Sequence, residues 1–158
     1  MTNAAERKIE ARLFSGTVRP LAAADKPAWL VLWAGYLEFY KTSVAPEVTE
    51  ASFARLTGAD EAMFGLAAEQ DGRLVGIAHC IAHRSTWARG QYLYLNDLFV
   101  APDVRRSGAG RALIEAVYAR ADAMGMERVY WLTHETNAAG RSLYDQIAVN
   151  DGFVEYRR

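Results

Sequence analysis

The segment from Leu98 to Arg111, which reads LFVAPDVRRSGAGR, constrains the fold of this chain more than any other stretch. Its apolar start predicts a strand, and two glycines, Gly108 and Gly110, stand at the start of a predicted helix. The first backbone N–H groups of a helix lack intrahelical partners and carry partial positive charge, so they suit an anion such as pyrophosphate. Glycine lets the anion approach without a Cβ in the way. Three arginines add cationic donors for phosphate: Arg105, Arg106 and Arg111.

The spacing of the glycines distinguishes three kinds of phosphate-binding loop. A P-loop requires Gly-x4-Gly-Lys-Ser/Thr, which this sequence lacks, and a dinucleotide fingerprint requires Gly or Ala where Leu113 stands. What remains is Arg-x-x-Gly-x-Gly, from Arg105 to Gly110. A glycine pair before a helix is by itself more often a structural turn, but the arginines and the flanking strand and helix favour a pyrophosphate site.

The rest of the chain predicts one mixed α/β (α+β) domain. Asp71-Gly72, between two apolar runs, is a strong signal for a two-residue hairpin. An antiparallel meander followed by a β-α-β crossover makes a mixed sheet with helices packed on it. We expect residues 1–14 to be a tail or short helix and residues 15–158 to form the single domain. The predicted strands are 17–21, 63–70, 73–83, 91–100, 128–134 and 152–157. The first predicted helix starts with an N-cap and an early proline at Asp25-Lys26-Pro27 and continues to Tyr40, and the other predicted helices are 49–57, 108–124 and 137–147.

Composition and charge limit the cellular location and the kinds of binding partner that are compatible with the sequence. The formal net charge is −1, which provides no overall attraction for nucleic acid. No apolar run approaches the ~20 residues of a membrane span, and the start of the chain lacks the apolar core of a secretory signal. Cys80 is the only cysteine, so no intrachain disulfide can form. The sequence therefore predicts a cytoplasmic protein without nucleic-acid or membrane partners.

With its flanking elements, the Arg-x-x-Gly-x-Gly loop resembles the coenzyme A signature of the GNAT N-acetyltransferases. The segment from Tyr94 to Val100 looks like the central strand of that family, and Asn137, Leu143-Tyr144 and Gly152-Phe153 look like its C-terminal segment. The resemblance covers most of residues 17–157. It implies the GNAT fold, with a central sheet of about six to seven strands flanked by about four helices. It also implies an enzyme that moves an acetyl group from acetyl-coenzyme A to a primary amine, closest to the branch that acetylates histones and polyamines.

The resemblance also implies roles for individual residues. Asn137 would contact the pantetheine arm, and Tyr144 would protonate the departing thiolate. Tyr144 follows Asn137 by seven residues, so the two side chains share one face of a helix. A tyrosine with a pKa of about 10 can donate a proton at neutral pH. Backbone groups of Leu98, Phe99 and Val100 would contact the pantetheine and the thioester carbonyl. The pyrophosphate would be wrapped by Arg105, Arg106, Ser107, Gly108, Ala109, Gly110 and Arg111.

The sequence leaves the general base open. An alkyl ammonium with a pKa of about 10.4 must lose a proton before it attacks. Polyamine-type relatives commonly carry a glutamate where this chain has Asn96, which cannot accept that proton. Asp97 is next to it, but side chains alternate across a strand, so Asp97 should point to the opposite face unless a bulge disturbs the alternation. Glu135, His134 and a chain of water molecules are the other candidates.

Acceptor binding is expected at the first helices. Carboxylates and aromatic faces attract a cationic amine, although the same residues could form a solvated acidic face and a buried aromatic stripe. No metal site is expected, because His79 and His83 would lie about 13 Å apart on a strand. Cys80 is expected to be a core thiol. The predicted substrate-binding residues are Trp33, Tyr36, Glu38 and Tyr40.

Two functions are compatible with these patterns. The first is an acetyl-CoA-dependent N-acetyltransferase that works by direct attack in a ternary complex. Its acceptor would be a polyamine-like or amino-acid-like small molecule, or a protein lysine or N-terminus. The second is a coenzyme A-binding sensor that has lost catalysis, which Asn96 supports and Tyr144 opposes. By the habit of the family, we expect a homodimer.

Overall fold

The computed structural model describes residues 13–59 and 62–158. Short 3-10 turns lie at Ala23–Asp25 and Pro102–Val104. The tail or short helix predicted at residues 1–14 falls outside the described residues, apart from its last two. The regular elements in chain order are β1 Thr17–Pro20, α1 Lys26–Phe39, α2 Pro46–Thr57, β2 Met63–Gln70, β3 Arg73–Arg84, β4 Gln91–Val100, α3 Ala109–Ala123, β5 Arg128–Tyr130 and α4 Ala138–Ile147.

Five strands form one sheet in the order β1-β2-β3-β4-β5. The first four strands pair antiparallel, and β4 pairs with β5 in parallel through the α3 crossover. This arrangement confirms the predicted mixed α/β class. The hairpin at Asp71-Gly72 is also confirmed, and both residues have a positive φ, 52° and 73°, as a type I′ turn requires. Within the described residues the sheet has five strands, fewer than the six to seven expected.

The difference in strand number lies at the C-terminus. Residues 152–157, predicted as a strand, have no regular secondary structure, and the strand predicted at 128–134 ends at Tyr130. β5 pairs with β4 only from Tyr92 to Tyr94. A strand exists only where a neighbour completes its hydrogen bonds, so suitable residue types alone do not make one.

The helices follow their predicted order, with shifted ends. α2 begins at Pro46, three residues before its predicted start at Thr49, because the missing N–H of a proline breaks no hydrogen bond in the first turn. α3 ends at Ala123, and Gly125 follows it with a φ of 68°, the left-handed conformation that commonly terminates a helix. None of the helices within residues 13–59 and 62–158 combines the length and apolar content that a bilayer crossing requires.

Alternate residues of the central strands serve two separate cores. On one face, α3 packs Leu113 and Val117 against aliphatic residues such as Leu93. On the other face, α1 and α2 bring an aromatic cluster that includes Trp29 and Phe53 onto the sheet. Burying one aliphatic or aromatic side chain of this size stabilises the fold by about 1.5–3 kcal/mol. The sheet is therefore held by helices on both faces, and its C-terminal edge is the least supported part.

Candidate active site

A cleft opens where β4 and β5 separate. The strands pair only from Tyr92 to Tyr94, opposite Arg128–Tyr130. Beyond that point β4 continues to Val100, whereas the chain after Tyr130 follows an irregular path to α4. The glycine loop and the start of α3 follow directly from the end of β4, so they lie at the mouth of the cleft.

Helices α1 and α4 border the cleft from the two faces of the sheet. Tyr40, directly after α1, places its ring 5.4 Å from that of His134. Tyr144 of α4 meets Trp131 edge to face, also with 5.4 Å between centroids, and both pack against the core under α3. Tyr40 contributes to the electrostatic surroundings of Tyr144. The two phenols therefore approach each other through the gap between the strands.

A β-bulge at Asn96 decides which face Asp97 occupies. Asp97 lies opposite His79 and Leu95 lies opposite Cys80, so Asn96 is an extra residue with no partner on β3. The extra residue breaks the alternation of side chains along β4. Asp97 consequently contacts His79 on the α1 face, while Asn96 is exposed. The side chains of β4 therefore do not alternate regularly at this point, because the β-bulge considered in the sequence analysis is present.

Two buried side chains hold Asp97 in place. The indole N–H of Trp29 donates to Nε2 of His79 at 2.8 Å, and Nδ1 of His79 lies 2.9 Å from Oδ2 of Asp97. An indole N–H can only donate, so Nε2 of His79 must accept. The neutral imidazole therefore carries its proton on Nδ1 and donates it to Asp97. His79 is 3% exposed and is the one buried polar residue within the part of the chain that the structure describes.

The surroundings keep Asp97 ionised. Burial by itself raises the pKa of this carboxyl, but hydrogen bonds, chiefly from His79, outweigh burial and lower the pKa below its ordinary 3.8. Burial and the charge of Asp97 raise the pKa of Tyr36. Burial also raises the pKa of Tyr40 and of Tyr94. At neutral pH this side of the cleft presents the Asp97 carboxylate beside three protonated phenols, and the charge of Glu155 also acts on Tyr94.

Tyr144 lies at the opposite side of the cleft. Burial, and to a smaller extent Tyr40, raise the pKa of Tyr144 to about 12. Its hydroxyl is therefore protonated at neutral pH and can donate. The contact with Trp131 fixes the orientation of the ring. A protonated hydroxyl is what a proton donor requires, and the role of Tyr144 stays a prediction.

The glycine loop has the backbone geometry of an anion site. Gly108 precedes α3 with a φ of 88°, in the left-handed region that favours glycine. Among the described residues no side chain caps α3, apart from a long contact of 3.4 Å between Oγ of Ser107 and the N–H of Ala109. The first N–H groups of the helix are therefore available to an anion. A Cβ at Gly110 would lie 3.4 Å from Leu143 of α4, so Gly110 lies where α3 and α4 come close together. These features fit the pyrophosphate of coenzyme A.

The three arginines of the loop differ in what they contact. Arg105 turns toward α1, with its guanidinium carbon 5.7 Å from the centroid of the Phe99 ring. Arg111 donates to Oε1 of Gln146 at 2.7 Å and so links α3 to α4. Arg106 is exposed, and its guanidinium has no hydrogen bond or ion pair within residues 13–59 and 62–158. Of the three, Arg106 is the one that is free to bind a phosphate.

Asn137 stands just before α4 and caps it. Its Oδ1 accepts a hydrogen bond from the N–H of Gly140 at 3.1 Å, and its Nδ2 donates to Oγ1 of Thr133 at 2.9 Å. A side-chain oxygen in this position satisfies a free N–H of the first turn. The predicted helix start at residue 137 is thus the N-cap, and α4 itself begins at Ala138.

The residues expected to bind the acceptor fall into two groups. Tyr36 and Tyr40 reach the cleft, as their electrostatic interaction with Asp97 indicates. Trp33 is 9% exposed and stacks on Tyr36 from within the core, where its indole N–H donates to a threonine of α2 at 3.0 Å. Glu38 is exposed and lines a separate cavity of about 830 Å³ between α1 and the end of β4. Tyr36 and Tyr40 are therefore the members of this set that lie near Asp97.

The sequence patterns do not reveal the residues that support Asp97. In the sequence Trp29 fits a helical aromatic stripe, and the spacing of His79 from His83 argues only against a metal pair. A lone histidine within an apolar strand is a signal for a buried polar contact. The partner of that contact depends on the bulge, which leaves no mark in the sequence.

Other reactive side chains do not add to the site. The described residues hold no group of three or more His, Cys, Asp or Glu side chains that could bind a metal ion. Burial, with a smaller effect of Asp97, raises the pKa of the Cys80 thiol to about 12. A thiol with that pKa is not a nucleophile at neutral pH.

The fold of this chain is shared with a solved acetyltransferase. The aminoglycoside N-acetyltransferase AAC(6')-Iy in complex with CoA superimposes with a TM-score of 0.79. The match covers 93% of this chain and 96% of that chain, at 17% identity. At this identity the likeness supports the fold alone.

Sequence comparisons go further. Residues 28–148 match the model of the acetyltransferase (GNAT) family. The D-amino-acid N-acetyltransferase HPA3 of Saccharomyces cerevisiae is 36% identical over 155 residues, which cover 97% of this chain and 94% of that protein. The uncharacterized N-acetyltransferase YhfO of Bacillus subtilis is 32% identical over 88% of this chain and 94% of its own length. This chain therefore belongs to the acetyltransferase (GNAT) family and is an N-acetyltransferase whose cofactor is acetyl-CoA.

Proposed function

We propose that the chain transfers an acetyl group to a primary amine of a small molecule, by direct attack in a ternary complex. The observation that carries the proposal is the position of Asp97 and Tyr144, which border one cleft from opposite faces of the sheet. Tyr40 interacts electrostatically with both. A carboxylate on one side and a protonated phenol on the other are the acid and base that amide formation from a thioester requires.

Asp97 is the proton acceptor in this proposal. Its side chain is 11% exposed, so an ammonium group that pairs with it loses most of its water. Loss of that water lowers the pKa of the ammonium group, which favours release of its proton to the carboxylate. Glu135 and His134 are both exposed, so an ammonium group beside either of them would keep more of its water.

Tyr144 is the proton donor. Acetyl-CoA, when bound, supplies the acetyl group as a thioester and a thiolate as the leaving group. The amine nitrogen attacks the thioester carbonyl carbon, so that a C–N bond forms and the C–S bond breaks. Tyr144 donates its hydroxyl proton to the departing sulfur. The nitrogen, which is positively charged after the attack, loses its second proton to the Tyr144 phenolate, and Asp97 releases the first proton to solvent, which restores both groups.

The cofactor would be held by backbone groups along β4 and at the start of α3. Beyond Tyr94 the edge of β4 that faces the cleft has no ladder partner among the described residues. The free N–H and C=O groups there, from Leu98 to Val100, can pair with the amide groups of a pantetheine arm. The proposed pyrophosphate site comprises residues 105–111, and Asn137 is the proposed contact from α4.

An amino acid is the acceptor class that we favour. The relative that matches almost the whole chain is named a D-amino-acid N-acetyltransferase. That name supports a free amino acid over the histone and polyamine acceptors suggested by the sequence resemblance. The carboxylate of Asp97 and the phenol rings beside it attract an ammonium group by charge and by cation–π interaction.

Thiol release from acetyl-CoA tests the proposal. Purified protein is supplied with amino acids of both configurations, polyamines, an aminoglycoside and a basic peptide. We expect release that depends on amino acids, together with a rise in melting temperature when acetyl-CoA is added. A thermal shift without release would contradict catalysis and support the sensor function. Absence of both would contradict the cofactor assignment.

We further propose that the chain forms a homodimer through its C-terminal segment. Val149, Phe153, Val154 and Tyr156 are between 72% and 93% exposed, and β5 is the outermost strand of the sheet. A strand-forming segment and an open edge are complementary between two copies. Light scattering should give a mass twice that of one chain, and Phe153→Asp should reduce the mass to that of one chain. A monomeric wild-type protein would contradict the dimer.

A cytoplasmic location stays a prediction.

A further inference from the structure

A group of aromatic side chains beside Asp97 has no role in the mechanism above. We call this group the aromatic floor, and it consists of His83, Tyr92, Tyr94 and Tyr130. Tyr94 stacks on Tyr130 with 4.9 Å between centroids and 23° between the rings. Tyr92 and His83 both meet Tyr130 edge to face, at 6.4 and 5.6 Å. The floor adjoins the cleft, because Tyr94 interacts electrostatically with Asp97.

Hydrogen bonds fix the aromatic floor in one orientation. Nδ1 of His83 lies 2.8 Å from the backbone oxygen of Arg84, and a carbonyl oxygen can only accept, so Nδ1 carries the proton. In the neutral ring, Nε2 of His83 then accepts from the hydroxyl of Tyr130 at 2.6 Å. Tyr94 and Tyr130 are half-buried. The floor thus offers fixed ring surfaces to a ligand without further ordering.

A cation stands at the far end of the floor. The guanidinium of Arg128 lies over the Tyr92 ring, 4.6 Å from its centroid. Arg128 is exposed and makes no hydrogen bond or ion pair within the described parts of the chain, residues 13–59 and 62–158. A guanidinium that is positioned by an aromatic ring and lacks an anion is suited to bind a carboxylate in two-point fashion.

The polarity of this surface is complementary to an amino acid that reacts at a distant amine. Asp97 supplies negative charge at one end and Arg128 positive charge at the other. From Tyr92 to Asp97 the strand advances about 13 Å, since one of the five steps is the bulge. A polar contact of about 3 Å at each end leaves about 7 Å for the ligand.

Bond lengths favour a terminal amine over an α-amine. In an α-amino acid the nitrogen and the carboxylate carbon are about 2.5 Å apart, whereas in extended ornithine the terminal nitrogen is about 6 Å from that carbon. The second arrangement spans the surface and the first does not. The aliphatic chain between the two charged ends would cross the rings of Tyr94 and Tyr130, where apolar contact is favourable.

We infer that the preferred acceptors are amino acids with a terminal amine, of the ornithine and lysine class, held through their carboxylate by Arg128. The inference rests on the proposed acetyl transfer and names the acceptor of that same site. The terminal amine would meet Asp97, and the carbon chain would lie on the aromatic floor. Arg128 acts on binding and takes no part in the chemical step.

The experiment compares three acceptors of equal chain length with two arginine variants. Ornithine, in each configuration, carries both charged ends, 1,4-diaminobutane lacks the carboxylate, and norvaline lacks the terminal amine. Arg128→Met removes the proposed anion contact. Arg120→Met is the matched control, because Arg120 also lies over a ring, that of Phe64, but on α3 at the other face of the sheet.

We expect ornithine to be the best of the three substrates, with the acetyl group on its terminal nitrogen by mass spectrometry. Arg128→Met should raise the KM for ornithine about 10- to 100-fold, as loss of a charge-assisted contact does. It should leave kcat and the KM for diaminobutane unchanged, and Arg120→Met should change neither. Arg128→Lys, which keeps the charge, should recover part of the affinity.

Three other outcomes would contradict the inference about Arg128 without contradicting the proposed acetyl transfer. Equal or better turnover of norvaline, acetylation of the α-amine, or equal effects of Arg128→Met on ornithine and diaminobutane would each contradict the role of Arg128. Acetyl transfer would still be observed in all of these cases. Absence of thiol release with every acceptor would instead contradict the proposed function, and this inference with it.

Discussion

The two faces of the sheet are built from different chemistry. Under α3 the core is aliphatic, with Leu113, Ile114 and Val117 fully buried against the strands. Under α1 the core is aromatic and contains His79, which connects Trp29 to a carboxylate. Apolar burial on the first face needs no hydrogen-bond partners, whereas each polar group on the second face must find one.

The comparison indicates that the α3 face mainly supplies stability and the α1 face mainly supplies chemistry. The cleft lies where the two meet, because the α1 face supplies Asp97 and the α4 helix, packed on the α3 side, supplies Tyr144. Substitutions should therefore separate loss of activity from loss of stability according to the face they touch.

Asp97→Asn should give the largest effect on activity. The amide keeps an acceptor for His79 but cannot take up a proton, so kcat should fall about 10³-fold, within the usual range for a general base. Steady-state thiol release at pH 7.5 measures it. Asp122→Asn, at an exposed position of α3, is the control and should be silent. A variant of Asp97 with more than a tenth of wild-type kcat would show that another group is the base.

Leu113→Ala should give the largest effect on stability. Leu113 is 0% exposed, and replacing a leucine in such a position typically lowers the free energy of unfolding by about 3 kcal/mol. Urea unfolding measures the change, and kcat at a temperature where the variant is folded should stay within about twofold of wild type. Met124→Ala, at the partly exposed end of α3, should cost much less. A large fall in kcat for folded Leu113→Ala would mean that the α3 face takes part in catalysis.

Tyr144→Phe tests the group at the boundary of the two faces. The ring and its packing stay, and the proton is lost, so kcat should fall about 10²-fold with little change in affinity for acetyl-CoA. The matched control is Tyr118→Phe, another half-buried tyrosine, whose hydroxyl donates to the backbone oxygen of Ile147 at 3.0 Å. Tyr118→Phe should lower stability slightly and spare kcat. Equal losses of kcat in both variants would point to a structural role for Tyr144.

The smallest expected effect is a pH dependence of stability that comes from Asp97. Its pKa in the folded protein is below the ordinary 3.8, so the folded state binds this proton less readily than the unfolded state does. The stabilisation is complete above about pH 4 and is lost as the pH falls through the folded-state value. Urea unfolding from pH 6 to pH 3 should show a steeper loss for wild type than for Asp97→Asn. Parallel curves would contradict the lowered pKa.

Much of the fold could be predicted from local patterns. The Asp71-Gly72 hairpin, the central strand from Gln91 to Val100 and the helix after the glycine loop all depend on residues close in sequence. The absence of a strand at the C-terminus could not be predicted in this way. Residues 152–157 have side chains that suit a strand, but no neighbouring strand completes their hydrogen bonds. The residue pattern indicates which secondary structure a segment favours, but hydrogen bonding to a neighbouring strand decides whether the segment forms a strand.

Some features of the candidate site could likewise be predicted from the sequence, and others depend on tertiary contacts. The sequence by itself determined the loop with its two glycines, the tyrosine of α4 and the family to which they belong, because spacing along the chain sets which backbone N–H groups and side chains stand together. Only the tertiary structure decided the face on which Asp97, the proposed base, lies, the turn of Arg105 toward Phe99 and the position of Arg128 over Tyr92. Asp97 reaches the α1 face through one extra residue in β4, and its ionisation depends on His79, eighteen residues away in sequence but opposite it across the strand pair. Such contacts arise from register and packing between separate elements, which no single segment encodes.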